Sequence, residues 1–199
     1  TTGQIACYRT GQIINSRHEQ KDDLDKIGDV LLEFFETERI SKSLDMIHKF
    51  RVSGWEKWWQ TELALYLANA DSVIAEWDME HPFDADRRTS LAQSRMALDI
   101  GFRLKRHAKD EWHFVELKQN DDFRKCIDNM CKDAEKVYSA RKHSFDGIQV
   151  RYIACAGVFL TQKRKDIVEY ASDTLLEHNI KIDGFFLEQI GKYHSILVF

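Results

Sequence analysis

Residues 96–119 read MALDIGFRLKRHAKDEWHFVELKQ. Two apolar, strand-like runs, 96–104 and 111–118, flank a basic connector, 105–110. The first run carries one acidic residue, Asp99, and the second, past Glu111 at its start, carries Glu116. Side chains alternate faces along a strand, so Glu116 and Lys118 share one face while Val115 and Leu117 take the other. The same alternation groups Leu98, Ile100, Phe102 and Leu104 against Ala97, Asp99, Gly101 and Arg103. Paired as a hairpin through the connector, the two runs bring Asp99 and Glu116 to one end of a sheet. A one-residue slip would turn both the wrong way.

Two close carboxylates repel each other unless a cation neutralises them. Mg²⁺ or Mn²⁺, which take hard oxygen ligands, would do so, with the backbone carbonyl of Leu117 as a further oxygen. Lys118 is placed to orient or deprotonate a water attacking phosphorus, or to stabilise charge in the transition state. That set predicts a metal-dependent phosphodiesterase. The plainer alternative for Glu-x-Lys on a strand is a salt-bridged surface hairpin.

The whole chain sets the frame. Its 199 residues, 43 % hydrophobic and 12 % aromatic, suffice for one domain with a sizeable core and argue against disorder. A net charge of −4 excludes a globally basic nucleic-acid binder, although a local basic surface remains available. Cys7, Cys126, Cys131 and Cys155 form no C-x-x-C pair, and the eight histidines show no ligand spacing, so neither a zinc site nor a disulfide framework is expected. There is no Gly-rich phosphate loop and no serine-hydrolase elbow. No signal peptide and no apolar run near the ~20 residues of a membrane span are present, which points to a cytoplasmic protein.

Apolar spacing predicts helices over about 22–36 (capped by Asp22 or Asp23), 43–50 and 55–69. A strand-like patch, Gln4 to Tyr8, precedes them. A strand follows at 72–77, then an acidic stretch with Pro82, and a polar loop or short helix over 84–94. After the two strands of the opening stretch come a helix over 121–141, a buried strand over 148–159, a helix over 163–178, a short strand over 181–186 and a last run, 195–199. Helix, three strands, helix and strand imply an α/β fold with a mixed central sheet flanked by helices. Residues 1–54 are expected to form a mostly helical extension and 55–199 the main domain, with its core in 55–159. Glu76, Asp78 and Glu80 alternate along one face, as a second metal patch or a solvated edge. Arg87, Arg88, Arg103, Lys105, Arg106, His107 and Lys109 place positive charge beside the proposed site, where a loop could meet phosphates. His113 and the three tryptophans Trp55, Trp58 and Trp59 are expected in the core.

These motifs resemble the PD-(D/E)XK nuclease superfamily, the restriction-endonuclease-like fold, over about residues 55–159. Asp99 matches the acid of its second core strand, and Glu116-Leu117-Lys118 its acid-x-lysine on the third. Glu62, in WWQTELALYL, matches the acid often found on the first core helix, and Gln119 extends the signature to ELKQ. The resemblance implies metal binding by Asp99, Glu116, Leu117 and Glu62, and water activation by Lys118. It implies a divalent-metal-dependent endonuclease acting on DNA, or on RNA, in bacterial restriction or defence or as a nuclease toxin. A homodimer, and an immunity protein in the toxin setting, are the expected partners. The alternative is a non-catalytic nucleic-acid- or protein-binding module on the same fold. Two departures stand: Ala97-Leu98 replaces the proline that often precedes the acid, and there is no Gln-x-x-x-Tyr signature.

Overall fold

A computed structural model describes residues 17–70, 72–83, 96–138, 147–182 and 184–199. The patch at 4–8, Arg87, Arg88 and the expected loop or helix over 84–94 lie outside the described residues. The chain order is α1 (Arg17–Glu36), α2 (Glu38–Phe50), α3 (Glu56–Asn69), β1 (Ile74–Phe83), β2 (Met96–Leu104), β3 (Glu111–Gln119), α4 (Phe123–Tyr138), β4 (Gln149–Leu160), α5 (Arg164–Glu177), β5 (Phe186–Ile190) and β6 (His194–Val198). The strands form one mixed α/β sheet in the order β1-β2-β3-β4-β6-β5. Among the described residues only β3 and β4 pair in parallel, and α4 makes the crossover between them.

The sheet is covered on both faces. Helices α1, α2 and α3 pack on one face through Leu24, Ile27, Leu31, Phe34, Ile40, Leu44, Trp59 and Leu63. Alternate residues of β4, Tyr152, Ala154, Ala156 and Val158, join that core. Cys155 and Phe159 point to the opposite side, where α4 and α5 bury Cys126, Met130, Ile167 and Leu175. α4 lies so close to β4 that a Cβ at position 157 would run into Met130 Sδ and Cys126 Sγ, so Gly157 is required there. Since α1 and α2 contribute to the same core as the sheet, residues 17–50 are part of the body of the fold rather than an appended module.

The elements differ from the sequence expectation in four places. α2 starts at Glu38, directly after a one-residue break at Thr37, whose hydroxyl and N–H both bond the Phe34 carbonyl. β1 runs on through Pro82 to Phe83, because it is the edge strand and a missing N–H there costs no second ladder. The strand expected at 181–186 is instead β5 at 186–190. It turns through Gly191, φ 57°, into β6, with Ile190 paired to His194 across a three-residue loop. Neither Asp22 nor Asp23 caps α1, which begins five residues before Asp22, at Arg17.

Asp23 does something else. Its buried carboxylate meets His113 Nε2 at 3.4 Å on β3 and Arg151 on β4 at 2.9 Å, tying α1 to two central strands. Burial pushes this carboxyl up, but the His113 hydrogen bond and the charges of His113, Arg151 and Lys26 outweigh it and hold it at about 2. The folded value lies below the ordinary 3.8, so this stabilisation is present above about pH 4 and is lost as the pH falls towards 2. Asp23→Ala should lose about 3 kcal/mol at pH 7, the cost of leaving a buried partner unpaired. Urea melts at pH 7 and across pH 4 to 2 check both: the variant should show a smaller acid-induced loss than the wild type.

Candidate active site

The face assignment of β2 changes at Asp99. Ile100, Phe102 and Leu104 face the α1–α3 core as the alternation predicts, but Leu98 packs with Phe114 and Val137 on the α4 side. β1 changes face at the same level: Met79 packs on the α1–α3 core, whereas the His81 ring lies 5.0 Å from that of Phe114. Between them Glu80 has φ 55°, a left-handed conformation that costs a non-glycine residue about 1–2 kcal/mol. The β1–β2 register pairs Met79 with Ile100 and His81 with Leu98, but not Glu80 with Asp99. The β2–β3 ladder stops just here too, at Ile100 opposite Val115, one step short of Asp99 and Glu116. In place of the next rung, Asp99 Oδ2 accepts the Leu117 N–H at 2.8 Å. A strained residue and an opened ladder are features found at functional sites.

Charged groups gather around this opening. Lys118 Nζ lies 3.7 Å from Glu116, 3.4 Å from Glu56 and 2.8 Å from Asp133. Glu56 sits in the first turn of α3, and its other oxygen accepts the Gln119 N–H at 3.0 Å. Asp133 comes from α4 and also pairs with Lys136. On the β1 side, Glu80 pairs with Lys57, and the buried Gln60 donates to both Glu80, at 3.0 Å, and the Asp99 carbonyl, at 2.9 Å. α3 thus braces the strained segment through Gln60 and supplies a carboxylate through Glu56.

The electrostatics are those of a site short of positive charge. Burial pushes the Glu116 carboxyl up to about 8, and the charges of Asp99 and Asp133 add to the shift against the pull of Lys118. Asp99 is raised too, by burial first and then by Glu56 and Glu80, against the Leu117 N–H and Lys118. Lys118 is held protonated: burial would lower it, but the Asp133 hydrogen bond and the charges of Asp133, Glu56 and Glu116 raise it. An ammonium held in this way is suited to donating hydrogen bonds, not to taking a proton from water.

The expected residues fare differently. Asp99, Glu116, the Leu117 backbone and Lys118 come together. Gln119 borders them through its backbone, while its side chain turns to Asp121 at 3.1 Å. Glu62 does not join them. Arg39 clamps it with its two terminal guanidinium nitrogens, and the Trp58 indole also donates to it. Glu62 lies six residues along the helix from Glu56, about 240° round the axis, so the two point different ways. Glu56 takes the place expected of it. The basic connector is also displaced. Arg103 is buried and pairs with Glu76 at 2.8 Å, and exposed Lys105 and Arg106 sit at the hairpin tip, six or more residues from Asp99 along a strand rising ~3.3 Å per residue. Of Glu76, Asp78 and Glu80, only Glu80 reaches the site; Asp78 pairs with His81 at 3.0 Å.

Glu56 and Asp133 left traces in the sequence. Cys126, Met130, Asp133 and Val137 follow the 4-3-4 spacing of a buried helical stripe, so Asp133 is a charge at a core position. Glu56 is an acid in the first turn of a helix that leads to the sheet. Among the described residues, no three His, Cys, Asp or Glu side chains stand as a preformed metal-binding group. The donor set nevertheless fits a hard divalent cation: two partly buried carboxylates, both raised first by burial, with the charge of Asp99 adding to the shift of Glu116. Among the described residues no helix is long and apolar enough to cross a membrane.

Glu116 generates a stability prediction. Its folded-state value lies above the ordinary 4.5, so the stability it supports is complete below about pH 4.5 and is lost as the pH rises towards 8. In EDTA, Glu116→Gln should therefore be more stable than the wild type at pH 8, on the order of 2 kcal/mol, with the gap closing towards pH 4.5. Thermal melts across that range measure it.

No protein-family model, no curated protein and no solved structure matches this chain.

Proposed function

We propose that this protein is a divalent-metal-dependent nuclease of the restriction-endonuclease-like kind, hydrolysing phosphodiester bonds in DNA. The observation that carries this reading is the convergence of Asp99, Glu116 and Lys118 at one opened end of the β2–β3 ladder, with Glu56 delivered from a helix. Helix, three antiparallel strands, crossover helix and a strand parallel to the third supports it. That order is the core the resemblance implies.

Asp99, Glu116 and the Leu117 backbone are the residues that would hold Mg²⁺ or Mn²⁺, with Glu56 in the position expected of Glu62. The ion would supply charge neutralisation at the phosphate and an acidified water. Lys118 keeps its ammonium beside these carboxylates, where it can donate to an attacking water or to a phosphate oxygen. Gln60 holds the Asp99 backbone, and so the direction of its carboxylate. Arg103, Lys105 and Arg106 lie too far along the hairpin to act at the scissile phosphate. Any role they have in binding DNA would be to the flanking backbone.

Plasmid and short-duplex cleavage with Mg²⁺ or Mn²⁺, against EDTA and against a single-stranded RNA of matching sequence, tests the reading. Lys118→Ala and Asp99→Ala should each lose about 10²-fold or more in rate. Glu56→Gln should lose at least tenfold, whereas Glu62→Gln should stay within about threefold of wild type. Equal cleavage by wild type, Lys118→Ala and Asp99→Ala would sink the assignment. DNA binding without cleavage under every metal condition would favour a non-catalytic binding module.

A further inference from the structure

We propose that Asp133, on the crossover helix α4, is the positioning residue that sets where the Lys118 ammonium stands. The inference rests on the nuclease reading of the site and adds to it a residue outside the strand motif.

Lys118 carries its charge on a flexible four-carbon stem and has three carboxylates within reach. Asp133 is its nearest partner, at 2.8 Å, against 3.4 Å for Glu56 and 3.7 Å for Glu116. Asp133 is itself fixed. It is buried, it lies on the inward stripe of α4, and its second oxygen is paired with Lys136 one turn along. α4 is in turn seated against β4 at Gly157, which is paired with Lys118 across the parallel ladder. The position of Asp133 relative to Lys118 therefore follows from the close approach of helix and sheet.

The consequence concerns the other two carboxylates. Without Asp133, the carboxylates paired with the ammonium are those of Glu56 and Glu116. It would settle on the oxygens that the proposed function reserves for a cation. Asp133 draws Lys118 towards α4 and so keeps those oxygens available. Asp133 is engaged at both oxygens, by Lys118 at one and Lys136 at the other, so its carboxylate is fixed where it meets the long Lys118 side chain.

Asp133→Asn keeps the shape and removes the charge. On a short DNA duplex with Mg²⁺, kcat should fall about tenfold or more while KM stays within about twofold. Asp133→Glu should recover part of the loss, and Lys132→Met, at an exposed position of the same helix, should keep wild-type kcat. A purely structural role would lower the melting temperature and leave kcat unchanged in the folded variant. In the metal-free protein, the ¹H–¹⁵N spectrum of lysine ammonium groups gives a second readout. The Lys118 signal, identified by its loss in Lys118→Met, should shift or broaden in Asp133→Asn and persist in Lys132→Met. An unchanged Lys118 signal in Asp133→Asn overturns the inference, as does kcat within twofold of wild type. A wild-type protein that cleaves nothing overturns the nuclease reading instead, and the ammonium spectrum still decides whether Asp133 holds Lys118.

Discussion

A strand buried on both faces can carry charge only where it leaves the core, and β3 is such a strand. Val115 and Leu117 are enclosed by the α1–α3 layer, and Phe114 is enclosed by α4. It bonds antiparallel to β2 on one side and parallel to β4 on the other. Two charged side chains, Glu116 and Lys118, stand at its C-terminal end. Desolvating them is costly unless partners are supplied from elsewhere. The rest of the architecture supplies those partners: Asp99 from β2, Glu56 from α3 and Asp133 from α4.

The supply is unbalanced, and that imbalance is what gives the site its chemical character. Lys118, Lys57 and Lys136 face Asp99, Glu116, Glu56, Asp133 and Glu80, and burial, with the charges of Asp99 and Asp133 added, pushes Glu116 up to about 8. A contrast lies deeper in the same sheet. There Asp23 has His113 and Arg151 against it, and its carboxyl is held at about 2. Both are partly or fully buried carboxylates within one fold. One is neutralised by neighbours that anchor α1, and the other is left wanting a cation at the end of an opened ladder. The first stabilises the fold; the second costs stability as the pH rises above about 4.5, because its folded value lies above the ordinary one.

Much of the fold was legible from residue spacing. The 3–4 spacing of Leu24, Ile27, Leu31 and Phe34 marked α1, and period-two alternation marked β2 and β3 with their charged residues. Pairing of the two runs as a hairpin, which brings Asp99 and Glu116 to one end of the sheet, was also expected, although the ladder stops one step short of them. Elements were misjudged where their limits depend on neighbours. Pro82 is tolerated because β1 turns out to be an edge. β5 lies several residues later because its position is set by the Gly191 turn onto β6. Alternation also failed at Asp99, since a left-handed Glu80 on the neighbouring strand reverses the faces of both strands there.

The sequence by itself determined the local chemistry: an acid on one strand and an acid-x-lysine on the next, with Glu116 and Lys118 on one face because side chains alternate along β3. Only the tertiary structure decided which distant residues complete the group. Glu56 and Glu62 are both acids on the same helix, and which one faces Lys118 depends on the rotation of α3 over the sheet. In that packing Arg39 and Trp58 hold Glu62 away, while the Gln119 N–H receives Glu56. Asp133 reaches Lys118 because Gly157 lets α4 settle against β4. Such contacts join residues far apart in sequence, and their geometry is set by how helices seat on a sheet, which no local pattern of residues encodes.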